Sequence, residues 1–350
     1  VFVLISSYLL EIRGMTLPYF VILFSTACWA NMIGLNISSG LKSVVAIYIL
    51  VPLILVPQLL FSGVVIDFHD MHETVRAEEY VPVIGDLTPS RWSYETLVVT
   101  QYKNNKLEKH FYEPEAQIST SFFDEAYRIP LLNTIAREME NSVAYHDTAR
   151  VRLVQNELNH LHSHYGIPLP SSLNQWGEVP LKTYTRALHS TLDKYKEKVS
   201  SNYEQAIDRK ERIYDSLVNE WGGKEAFMEV KDQYYNKRLA DLVQNADQIS
   251  EYYIKDQEII NLKDPVYRLP DSKIGRAHYF APAKFMGNMK IDTLGFNLMR
   301  LWFSILVWYF ILYFDVLNKV LSYFESLRLR RIGRRRFLRL FGIQGSRKEL

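Results

Sequence analysis

The sequence is nearly without cysteine: Cys28 stands alone among 350 residues. No disulfide can form within the chain, which excludes the stapled frameworks common in large exported animal domains and suits a bacterial envelope better. Charge is missing over two long stretches. No Asp, Glu, Lys or Arg occurs from Leu17 to Leu41 or from Ser43 to Ile66, so Lys42 alone separates the two runs. A helix rises ~1.5 Å per residue, and each run is therefore long enough to cross a hydrocarbon layer of ~30 Å. Those runs exclude a soluble enzyme. The signatures of catalysis are missing as well. Gly222-Gly223-Lys224 has neither the spacing nor the preceding strand of a phosphate loop, and no G-x-S-x-G or H-E-x-x-H pattern occurs. No catalytic, cofactor-binding or metal-binding residues are expected here. No acidic or carbonyl-rich filter segment marks the apolar runs as a channel.

What is present divides sharply. A mean hydropathy of -0.12 averages apolar ends with a polar, Tyr-rich middle from about residue 103 to 290. A third span is predicted near Leu294 to Phe314, where Arg300 can snorkel and Trp302, Trp308, Tyr309 and Tyr313 supply interfacial anchors. Beyond it, Arg328, Arg330, Arg331, Arg334, Arg335, Arg336 and Arg339 form a basic tail. Phosphate headgroups beside a membrane helix explain that tail more simply than nucleic acid, and the positive-inside rule makes it cytoplasmic. The region from Asp67 to Asp292 then lies outside, and the Lys42 turn inside. The expected organisation is all-α. Residues 1–102 form transmembrane helices with an external element, 103–290 a periplasmic insert, 291–325 the last span and 326–350 the tail. The opening "VFVLISSYLL" reads as the end of a helix that begins upstream.

Within the insert a helix is predicted from about Phe123 to His164. Next comes an apolar stripe from Tyr184 to Trp221, then Gly222-Gly223 as a left-handed stop, then a second stripe from Phe227 to Ile260. These predict a long antiparallel helical hairpin over 183–262, a candidate site for a periplasmic partner. The Pro- and Gly-rich "RLPDSKIGRAHYFAPAKFMGNMKIDT" reads as an ordered strap. His160, His162 and His164, like His69 and His72, lack a carboxylate cluster at ligand spacing and read as solvated histidines.

In the first run, Ala30, Gly34 and Ser38 recur every fourth residue and offer a small-residue face for close helix packing, and Asn31 and Asn36 need partners inside a bundle. In the second, Pro52, Val56, Leu59 and Gly63 share a face; periodicity alone leaves pore lining and bundle packing both open. The stretch "VPVIGDLTPSRWSYETLVVTQY", residues 81 to 102, reads as a turn and a short amphipathic helix capped by Ser90. Trp92 and Tyr94 are placed at the interface, and Arg91 and Glu95, four apart, meet water or each other.

"LVPLILVPQLLFSGVVIDF" followed by "LTPSRWSYETLVVTQY", preceded by "FSTACWANMIGLNISSGLKS", resembles the permease half of White-type (subfamily G) ABC transporters, in a bacterial, Bacteroidetes-like form. Pro89, Arg91, Tyr94, Glu95 and Leu97 stand where that family carries its membrane-dipping element; Trp92 and the Thr88-Pro89-Ser90 order depart from it. The resemblance implies an ATP-driven exporter of a lipid, amphiphile or envelope component. It implies a second transporter half as partner, with ATP and Mg bound by a nucleotide-binding domain outside this sequence. It also implies that Pro52, Val56 and Leu59 face the central cavity, that Val64-Val65 stands in for the family's apolar plug, and that Arg91, Tyr94 and Glu95 belong to the external gate. The insert, Cys-free and far larger than the family's loop, is the departure. The alternative is a membrane-anchored scaffold that recruits partners and transports nothing.

Overall fold

The computed structural model describes residues 1–41, 43–66, 68, 71, 80–141, 148–174 and 177–323. The predicted basic tail, Lys42, His69 and His72 lie outside these residues. The chain divides into two compact units, one of Val1–Tyr19, Glu73–Val81 and Glu95–Phe296, the other of Phe20–His72, Pro82–Tyr94 and Asn297–Leu350.

The first third is helical: α1 (Phe2–Leu9), α2 (Thr16–Gly40), α3 (Val44–Leu60), α4 (Val83–Asp86) and α5 (Pro89–Asn104). Charge-free sequence and long apolar runs make α2 and α3 stable only where their backbone bonds are internal and their side chains need no water. Of the three predicted spans, α2 and the last helix, α13 (Thr293–Tyr313), have the length and hydropathy to cross a bilayer. The second run is shorter than expected. Its helix, α3, has 17 residues because Gly63, at φ +75°, and the Ser62 hydroxyl turn the chain after Phe61. At ~1.5 Å per residue it reaches about 25 Å, at the lower limit for a span.

The insert begins with α6 (Glu108–Phe123), whose first turn is capped by Asn105: its Oδ1 accepts from the backbone N–H of Leu107 (2.9 Å) and Glu108 (2.8 Å). A π-turn, Asp124–Arg128, joins it to α7 (Ile129–Asn141). Then come α8 (Thr148–Tyr165), α9 (Ser171–Asn174), α10 (Leu181–Glu220), α11 (Lys224–Tyr234) and α12 (Lys237–Val243). The helix predicted over 123–164 is thus an earlier rod, 108–141, and a separate α8.

The first arm of the predicted hairpin, α10, is a helix of 40 residues, about 60 Å long. The second arm is not a helix of like length. Asn236 ends the α11 turn in extended backbone and caps α12 by accepting from Leu239 N–H at 3.1 Å. Asn245 then takes φ +54°. Beyond it, β1 (Tyr252–Lys255) pairs antiparallel with β2 (Glu258–Asn261). Asp256 and Gln257, at φ +49° and +62°, form the two-residue turn whose twist suits a hairpin. The partner of α10 is instead the 108–141 rod, which it meets antiparallel: Arg209 reaches Glu113, Ser200 bonds Glu125 and His189 bonds Asn133. Tyr184, Leu188, Leu192, Tyr195 and Val199, spaced three to four apart, are fully buried in the core they share with Leu132, Ala136, Leu158 and Leu161. Each contributes about 1.5–3 kcal/mol by burial. At the far end Leu107, Phe111, Leu217 and Phe227 form a second cluster, with Trp221 stacked on Phe227.

The predicted strap is ordered but includes strands. β3 (Ala283–Met286) and β4 (Met289–Asp292) pair around Gly287-Asn288, and Ile274 bridges to Met286. The described residues are mostly helical, as expected, with two small β-hairpins where the sequence predicts helix and strap.

Candidate functional site

The expected cavity and gate residues lie at the apolar end of the chain. In the unit holding α2, this helix and α13 run parallel, because their contacts climb together: Trp302 donates to Ser25 Oγ (3.1 Å), Trp29 to Ser304 Oγ (2.9 Å) and Asn36 to the Trp308 carbonyl (3.1 Å). Gly40 packs so closely on Leu317 that a Cβ there would lie 2.7 Å from its Cδ2. Asn36 thus finds the partner that its depth demands. The small residues are not the packing face within this chain. Ala30, Gly34 and Ser38 are exposed, with open space around Gly34, and Asn31 is exposed too, whereas Ile22, Ser25, Trp29, Asn36 and Ile37 are buried. Bulky Trp29 and Trp302, each with an N–H to satisfy, hold these two helices together instead.

Helix α3 has no buried residue. Pro52, Val56 and Leu59 are exposed along one face, and Val64 and Val65 are exposed in the turn after Gly63. A charge-free, largely apolar helix that stays this exposed among the described residues is stable against lipid or another protein surface, not against water. Its end is tied to the next element by Ser90, whose hydroxyl donates to the Gln58 carbonyl at 3.0 Å. Ser90 is thereby engaged elsewhere and does not cap α5.

The stretch 81–102 does form a turn and a helix, but the helix is not amphipathic. Arg91, Trp92, Ser93, Glu95, Thr96, Val98, Val99 and Thr100 are all buried, and Tyr94 is half-buried. Arg91 and Glu95 have separate partners. The Arg91 guanidinium lies 3.4 Å from Asp86 and 4.0 Å over the Trp92 ring. Trp92, placed at the interface by sequence, is inside: its Nε1 donates to the Asp86 carbonyl at 2.9 Å, and Asn297 donates to its own carbonyl. Glu95 is held by Lys284 of β3, Nζ to Oε2 2.5 Å, with both side chains fully buried. Two charges taken out of water lose several kcal/mol each in hydration, so the pair holds only because each neutralises the other at contact distance. Lys284 also lies 5.4 Å over Phe296. Thr293, N–H to the Pro282 carbonyl and hydroxyl to the Ala281 carbonyl, clamps the hairpin to the start of α13.

Lys284, Asp86 and Gln58 were not legible as partners from sequence. Gly287-Asn288 between "AKFM" and "MKID" is a hairpin signal that could have placed Lys284 in a strand, though not its depth. Among the described residues no group of His, Cys, Asp and Glu is arranged to hold a metal. His160 and His164 stack 5.9 Å apart, and burial, then the nearby Arg128 charge, pushes His160 down to about 3, so it is neutral rather than a solvated, titrating histidine.

Comparison with known families agrees with the apolar part: the family described as ABC-2 type transporter matches residues 1–102. No curated protein and no solved structure matches the chain. Residues 1–102 thus carry an ABC-2 type membrane domain, and with the apolar helices α2 and α13 they mark a membrane protein.

Proposed function

We propose that this chain is the permease part of an ATP-driven ABC exporter of the subfamily G kind, moving a lipid, amphiphile or envelope component across a bacterial inner membrane. The observation that carries the reading is the coincidence of the ABC-2 match with an apolar helix, α3, that has no fully buried residue and leaves Pro52, Val56 and Leu59 exposed. An exporter half needs such a surface, because α3 of a second copy completes the pathway along Pro52, Val56 and Leu59. The ATPase, with its ATP and Mg, belongs to a domain or chain outside this sequence. The parallel course of α2 and α13 supports a disposition in which both helices end on the cytoplasmic side, as the positive-inside rule expects from the sequence.

The function is tested in proteoliposomes holding the full-length protein with its ATPase. ATP-dependent movement of a labelled amphiphile is expected. Partner binding through the insert with no transport under any nucleotide condition would instead establish the scaffold. Disposition is tested on cells in a Cys28→Ser background: Asp193→Cys is expected to react with a membrane-impermeant maleimide and Ser346→Cys only after lysis. The reverse pattern would overturn the topology.

A further inference from the structure

The insert contains a cleft of about 1040 Å³ that the permease reading leaves unused. Small-molecule sites ordinarily occupy ~300–1,000 Å³. One wall is the π-turn Asp124–Arg128, a form of helix defect found most often where side chains are re-aimed for function. It brings Arg128 back over Phe123, 5.4 Å from the ring centroid, between Asp124 and Glu157, each at 3.0 Å. Tyr165 donates to Asp124 at 2.7 Å, and the Ile259 N–H to Glu157 at 2.6 Å. The wall is therefore ionic and buried, and its single guanidinium is fully engaged by two carboxylates: it gives shape and rigidity, and no positive charge to spare for a ligand.

The exposed lining differs. Arg212 of α10 and Lys273 before β3 border the same cleft, both are exposed, and neither makes an ion pair or side-chain hydrogen bond among the described residues. Arg209 faces Glu113 at 3.1 Å, and Arg268 donates to the Asn261 carbonyl. Of the bordering carboxylates, Asp124 is taken up by Arg128 and Tyr165, Asp264 accepts from the Ser119 hydroxyl at 2.6 Å, and Asp271 is exposed. Arg212 and Lys273, against the one exposed carboxylate Asp271, thus leave net positive charge beside apolar surface from Leu269 and half-buried Phe285. Guanidinium and ammonium donors bind phosphate or carboxylate oxygens with charge-assisted bonds, and the apolar lining favours a ligand that is more than an anion.

The geometry points to a binding cleft in the insert for a small anionic amphiphile, its phosphate or carboxylate met by Arg212 and Lys273 and its apolar part lying along Leu269 and Phe285. This assignment stands apart from transport, because binding alone reads it out. The test is calorimetric titration of the full-length protein in neutral detergent with dihexanoyl phosphatidic acid, dihexanoyl phosphatidylcholine and inorganic phosphate. The phosphatidic acid is expected to bind at least about tenfold more tightly than either comparison ligand. Arg212→Glu with Lys273→Glu is expected to weaken it by at least about tenfold, and Arg212→Lys with Lys273→Arg to preserve it. Both positions are exposed, so unchanged thermal unfolding of the variants certifies their fold. Equal binding of the zwitterion, or charge reversal without effect, overturns the site; inorganic phosphate binding as tightly overturns the amphiphile.

Discussion

Glu95 and Lys284 show what single residues decide in this molecule. Both are fully buried, so the value of the pair is measured by what happens when one charge is left without the other. Lys284→Met is expected to destabilise the fold by about 3–5 kcal/mol, and the double variant Glu95→Gln with Lys284→Met by much less. A double-mutant cycle on thermal unfolding in detergent reads this; additive losses would show that the two side chains act separately. Glu108 makes a second test, through pH. Burial first, and Glu115 next, push its carboxyl up to about 7, against the pull of Lys210 and Lys231. In the unfolded chain it titrates near ~4.3, so the folded state holds the proton longer and stability falls as pH rises from about 4.3 to about 7. Glu108→Gln keeps the neutral form at every pH. It is expected to raise the unfolding midpoint at pH 8, an effect of order 3 kcal/mol, and to leave pH 5 nearly unchanged; an equal shift at both would contradict the assignment.

Among the elements, α10 was legible because Tyr184, Leu188, Leu192, Tyr195 and Val199 keep a helical period for several turns, and period is what a core-facing helix writes into sequence. Its partner was not legible. The stripe from Phe227 to Ile260 has similar spacing, but Asn236 and Asn245 interrupt it, and Tyr252, Tyr253, Ile254, Ile259 and Ile260 are aromatic or β-branched residues that pair as strands once Asp256-Gln257 turns the chain. Spacing shows which face is apolar and is silent about what covers it. The same limit hid the burial of α5, whose charged and hydroxyl residues read as a wet face yet find Asp86, Lys284 and Thr26 as partners. Two consequences follow for element-scale tests. Removing 183–262 strips the insert of its core, so surface substitutions rather than deletion must probe its role. Gly275, at φ +81°, leaves 2.5 Å between a built Cβ and the Phe296 ring. Gly275→Ala is expected to cost about 1–3 kcal/mol through backbone strain alone, with the ring clash in addition, seen as a lower unfolding midpoint. No change would mean that the strap adjusts freely.

For the whole molecule, the membrane domain was legible because charge is excluded from bilayers at high cost, and a sequence cannot hide two runs without it. What the runs alone could not show is how the helices use their faces. Trp29, Asn36 and Trp302 join α2 to α13 inside one chain, while Ala30, Gly34 and Ser38 and the α3 face of Pro52, Val56 and Leu59 stay exposed. That division suits the proposed exporter half, in which one surface holds the subunit and another completes a pathway with a second copy. The central claim is that the α3 face bearing Val56 and Leu59 carries cargo. Its most direct measurement is ATP-driven transport of labelled amphiphile by the full-length protein with its ATPase in proteoliposomes, comparing Val56→Trp and Leu59→Trp with Ile54→Trp on the opposite side of the helix. Transport is expected to fall by about tenfold or more in the first two, with membrane insertion intact, and to persist in the third. Transport unchanged in Val56→Trp and Leu59→Trp would contradict the account.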